Sequence, residues 1–100
     1  MAGTVFTADG RDWGISSGIF YWVIDALAEQ VRDPDLADRL REISEYNLGS
    51  LSLAKFPEAQ QQELASAIRG LPDTARRELP ESTGRDDVIA HITELASLFT

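Results

Sequence analysis

Gly14-Ile15-Ser16-Ser17-Gly18 has the G-x-S-x-G spacing that presents a serine nucleophile on a sharp strand-to-helix turn, and Asp86, Asp87 and His91 follow it. The chemistry would be acyl transfer, with histidine taking the serine proton. Such a serine stands at the end of a large parallel sheet. A chain of 100 residues with at most three short strands cannot build that sheet. The motif is therefore read as a glycine-flanked helix start, and no catalytic residue is assigned. The same helix start offers free backbone N–H groups to an anion, but the net charge of −8 opposes one.

Metal chemistry finds equally little to work with. His91 is the only histidine and there is no cysteine, so zinc would rest on carboxylates, which suit it poorly. His91 is expected at the half-buried edge of a helix, between Glu94 and Leu98. Asp33-Pro34-Asp35 with Asp38 lacks the loop glycine and terminal glutamate of a calcium loop, and a helix start explains it. Neither a metal nor a cofactor is expected.

The acids that follow are more informative. Asp35, Asp38, Glu42 and Glu45 are spaced three, four and three residues apart, so a helix carries them on one face. Like charges at that spacing cost a few tenths of a kcal/mol per pair. Asp35–Arg39 and Arg41–Glu45 pairs are expected to offset part of this. On the preceding segment Tyr21 and Trp22 fall beside Asp25 and Glu29 rather than among the apolar residues. Aromatics ringed by acids are material for a binding hot spot. The candidate partner-binding surface is therefore Tyr21, Trp22, Asp25, Glu29, Asp35, Asp38, Glu42, Glu45 and Tyr46, set against the plain alternative of a solvated charged face.

Composition gives this surface its sign. Seventeen acids face nine bases, of which eight are arginine, so nucleic-acid phosphate and anionic lipid are disfavoured and a basic protein is attracted. The longest run of large apolar residues, Ile19 to Ile24, is too short to span a membrane, and no secretory leader is legible at the amino end. A complete, soluble, cytoplasmic chain, monomeric or homodimeric, is expected. The functional expectation is a small acidic protein-binding module and not an enzyme. Its most concrete form is an immunity-like or antitoxin-like inhibitor that docks on a basic partner, by analogy of class. Two alternatives stand beside it: a self-associating structural or regulatory subunit of a bacterial complex, and a small hydrolase using Ser16.

These side chains need a scaffold, and the segment from Gly14 to Asp33 organises it. As a helix it lines up Ile19, Val23, Leu27 and Val31, with Phe20 and Ile24 beside them. Before it, Thr4–Thr7 and Trp13–Ser16 flank Asp9-Gly10 and read as a hairpin. A two-stranded hairpin is marginal alone, so Val5, Trp13 and Ile15 must lie on the helix. Ser16 and Ser17 are candidate caps. Asp33-Pro34 ends the first helix and starts a second, buried through Leu36, Leu40 and Ile43. Residues 48–53 alternate apolar and small residues, and a third short strand or an extended crossover with inward leucines is expected there. A third helix runs from Glu58 to about Leu71, ended by Gly70 and Pro72. Residues 72–84 are expected as a surface loop with one helical turn. A last helix starts at Asp86 and Asp87 and runs to about Leu98, with Val88, Ile89, Ile92, Leu95, Ala96 and Phe99 on one face. The fold class is α+β: an N-terminal β-hairpin, with a possible third strand, packed on about four helices in one compact domain over residues 1–100.

Overall fold

The structure is a computed structural model and describes residues 2–99. Two strands, β1 (Ala2–Phe6) and β2 (Asp12–Ser16), form the expected antiparallel hairpin, with Val5 opposite Trp13 and Phe6 opposite Asp12. Gly10, at φ +93°, supplies the left-handed residue of its turn. Helix α1 (Ser17–Gln30) follows directly, then α2 (Pro34–Glu45). Strand β3 (Ser50–Ser52) completes the sheet in the order β2-β1-β3, parallel to β1 with Val5 opposite Leu51. A single 3-10 turn (Leu53–Lys55) leads to α3 (Glu58–Arg69), α4 (Leu71–Glu78) and α5 (Arg85–Ser97). The architecture is α+β, a three-stranded sheet with five α-helices.

Alternation along the strands decides which sheet face is covered. Val5, Trp13 and Leu51 are buried beneath the helices, whereas Ala2, Phe6, Asp12, Gly14 and Ser50 are exposed. The core joins Val5 and Leu51 to Phe20, Ile24 and Leu27 of α1, Leu36 and Leu40 of α2, Leu64 and Ile68 of α3, Leu71 of α4, and Ile92 and Leu95 of α5. Trp13 reaches across to α5, where its indole N–H donates to the His91 carbonyl at 2.9 Å.

Capping at the second helix follows the local chemistry. Asp33 Oδ1 accepts the N–H groups of Asp35 at 3.0 Å and Leu36 at 3.5 Å, with Pro34 opening the helix behind it. Ser16 occupies the cap position of α1 without a side-chain bond.

Four expectations are corrected. Residues 71–78 form a helix and not a loop with one turn. Leu71, Thr74 and Ala75 bury one side of it, and Asp73 and the Arg76-Arg77 pair sit at the ends that suit their charges. Gly70 does end α3, as its C-cap residue in right-handed angles, but Pro72 does not: it lies in the first turn of α4, where no N–H is needed. Leu48 is exposed, because it is out of phase with the buried Leu51 and Leu53. His91 is exposed, not half-buried.

Candidate docking surface

On α1 the buried residues Phe20, Val23, Ile24, Leu27 and Ala28 leave one solvent arc that carries Gly18, Asp25 and Glu29, with Tyr21 and Trp22 at its borders. Both aromatics are half-buried against the core. Tyr21 packs edge-on to Phe20, with ring centroids 5.1 Å apart, and its hydroxyl accepts the N–H of Gly49 at 3.1 Å. It therefore ties α1 to the segment leaving α2. Only part of each ring remains for a partner.

On α2 the expected acid row exists as one outer face. Asp35, Asp38, Glu42 and Glu45 are all exposed, opposite the buried Leu36, Ala37, Leu40 and Ile43. The arginines are used differently from expectation. Arg41 pairs with Asp38 at 3.7 Å and not with Glu45. Arg39 turns away from Asp35: its guanidinium lies 4.1 Å over the Phe56 ring and donates to Gln60 Oε1 and the Lys55 carbonyl. The stack removes one cation from the acid face. Asp35 instead accepts Gln60 Nε2 at 3.1 Å, which leaves Glu42 and Glu45 without a paired cation among the described residues.

Tyr46 is 65 % exposed directly after this row, and its neighbour Leu48 is 58 % exposed. Phe6, 42 % exposed on the uncovered sheet face, stands in register with Ser52 of β3. These three are the exposed large apolar residues among the described ones; Phe6 pairs with β3 and Leu48 lines a groove with it. Phe6 and Leu48 were absent from the sequence-derived surface. Their signal was parity: Phe6 falls between inward Val5 and Thr7, and Leu48 shares its phase with Ser50 and Ser52. A groove of about 230 Å³ runs between β3 and α2, lined by Glu42, Ile43, Leu48, Ser50, Ser52 and Phe56 together with the two cations Arg39 and Lys55.

The serine motif is not assembled into a triad. Ser16 ends β2 on the uncovered side of the sheet with Asp12 and Gly14, while α5, which carries His91, packs on the covered side. A second cleft of about 300 Å³ opens between the hairpin turn, α3 and the last helix, lined by Thr7, Asp9, Arg11, Gln61, Leu98 and Phe99 among others. Here the Thr7 hydroxyl donates to Asp9, and Arg11 pairs with the same carboxylate at 3.0 Å. The threonine bond first, and then the arginine, lower the Asp9 pKa to about 2.

Among the described residues no helix is long and apolar enough to cross a membrane. The described residues form a small α+β fold with one sheet face uncovered and an acidic helix face. Compared with family models, with curated proteins and with solved structures, the chain finds no match.

Proposed function

We propose that this protein works by binding another protein, a basic one, through the outer face of α2 and the apolar residues at its carboxyl end. One observation carries the reading: exposed Leu48 lines a groove with Glu42, and exposed Tyr46 directly follows Glu45, neither acid having a paired cation among the described residues. Apolar anchors supply a slow off-rate, and a surrounding field of one sign speeds the encounter. Tyr21, Trp22, Asp25, Glu29, Asp35 and Asp38 extend the surface along α1 and α2. The net charge of −8 biases the whole molecule the same way. Inhibition of a basic enzyme, in the manner of an immunity protein or antitoxin, is the concrete form of this reading.

Affinity capture from the native cell at rising salt, with the wild-type chain beside a Glu42→Lys, Glu45→Lys double variant, tests it. A captured protein of high pI should leave at moderate ionic strength, as screening of exposed charges requires. The double variant should capture much less of it. Equal capture by both chains would remove this surface from consideration.

A further inference from the structure

We infer that Asp9-Gly10, in the hairpin turn, is a site of spontaneous covalent modification, aspartate isomerisation, and that Thr7 and Arg11 hold it closed by gripping the Asp9 carboxylate. In this reaction the Gly10 backbone nitrogen attacks Asp9 Cγ. The nitrogen gives up its proton, the protonated carboxyl gives up its hydroxyl as water, and a cyclic succinimide results. Water then opens the ring at either carbonyl. One opening restores aspartate; the other routes the main chain through Cβ and Cγ and frees the α-carboxyl, with no net change in composition. Water is the only co-reactant. The isomer carries an extra backbone carbon inside the turn that the Thr7 N–H and the Arg11 carbonyl close at 2.8 Å.

Sequence and turn geometry select this position. Asp9 is the only aspartate that precedes a glycine, and the one asparagine, Asn47, precedes Leu48. Asp9 and Gly10 are both exposed, and a Cβ on Gly10 would meet nothing within 4 Å, so the attacking nitrogen is uncrowded. Against this the turn sets its restraints. The Thr7 hydroxyl donates to Asp9 Oδ1, Arg11 Nε donates to the same oxygen at 3.1 Å, and Arg11 Nη2 lies 3.0 Å from Oδ2. Both carboxylate oxygens are held. The Gly10 N–H is occupied too, donating to the Thr7 carbonyl at 3.3 Å. Arg11 is braced from outside the turn, where Nη2 donates to the Leu98 carbonyl at 2.7 Å. It pairs with Asp9 and not with Glu58, the other acid lining that cleft. The threonine bond and then the arginine favour the ionised carboxylate, with a pKa of about 2 against 3.8 in the unfolded chain. Each unit of that difference thins the reactive protonated form about ten-fold.

The test incubates the full chain in warm, mildly acidic buffer, folded and in concentrated urea, and follows isoaspartate at residue 9 by peptide mapping with electron-transfer fragmentation. The folded chain should isomerise at least about ten-fold more slowly than the unfolded one. Thr7→Val keeps the branched shape and removes the hydroxyl donor, and Arg11→Gln removes the ion pair at an exposed position. Each variant, checked for native tryptophan fluorescence, should speed the reaction of the folded chain several-fold. Thr7→Ser keeps the hydroxyl and should stay near the wild-type rate. Tyr21→Phe loosens the fold away from the turn and should stay there as well, which separates the grip from general opening. If Thr7→Val does not fold, the surface variant Arg11→Gln carries the comparison alone. Three results overturn the proposal: one rate for folded and unfolded wild type, the wild-type rate in the folded grip variants, or equal acceleration by Tyr21→Phe. Modification appearing first at another aspartate would also overturn it.

Discussion

Gly3 lies directly against Phe20: a Cβ built on residue 3 would stand 2.1 Å from the Phe20 Cγ, on a ring that is fully buried. The close approach brings the first turns of α1 down onto β1, and it requires a residue with no side chain. Gly3→Ala should therefore destabilise the fold at the upper end of the range for overpacking, about 2–3 kcal/mol. Urea unfolding followed by tryptophan fluorescence measures it. Gly18→Ala is the matched control, because nothing lies within 4 Å of its added methyl. In the first turn of α1 it should stabilise by about 0.4–1 kcal/mol.

Tyr21 is the strap between α1 and the start of β3. Tyr21→Phe keeps the ring against Phe20 and leaves the Gly49 N–H without its acceptor. A loss of about 1 kcal/mol is expected, with faster exchange of the Gly49 amide as the local signature. Unchanged exchange there would mean that the hydroxyl does not hold the segment.

Asp33 serves two elements at once, capping α2 through Oδ1 and accepting Gln60 Nε2 of α3 through Oδ2 at 3.2 Å. Asp33→Ala should cost about 1–2 kcal/mol, near the top of the range for a lost cap. Asp33→Ser restores the cap but not the reach to Gln60, so it should recover most of the loss and not all of it. Thermal unfolding of the three proteins separates the two contributions.

The hairpin turn should respond to acid. The Thr7 bond and the Arg11 pair lower the Asp9 pKa from 3.8 in the unfolded chain to about 2. A depressed acid contributes its stability in full above the unfolded value and loses it as pH falls through the folded one. Wild-type stability should therefore fall between about pH 4 and pH 2 more steeply than that of Asp9→Asn. Titration of the Asp9 carboxyl by NMR reads the same midpoint directly.

Much of the fold was legible because local rules and burial agreed. Asp9-Gly10 between β-forming residues marked the hairpin, Asp33-Pro34 marked the break between α1 and α2, and the Leu36, Leu40, Ile43 stripe fixed the buried side of α2. Residues 71–78 were misread because Pro72 is a breaker in a helix interior but is welcome in the first turn, and only tertiary contact shows which position it holds. The acid row was readable as a face. The fate of its cations was not, since Arg39 is drawn away by Phe56, seventeen positions along the chain and adjacent only after folding. The free edge of β3 was invisible for the same reason: edge status depends on which strand pairs with which.

The parallel seam between β1 and β3 also sets an order of events. The hairpin and α1 can associate from neighbouring stretches of chain, but β1 gains its second partner only once both α1 and α2 have been laid down and residue 50 has come back beside Thr4. Closing so wide a loop is slow compared with zipping a hairpin. During synthesis the central strand therefore keeps one side unfilled until the chain has passed its midpoint, and that interval is when this small protein is most open to pairing with the wrong neighbour.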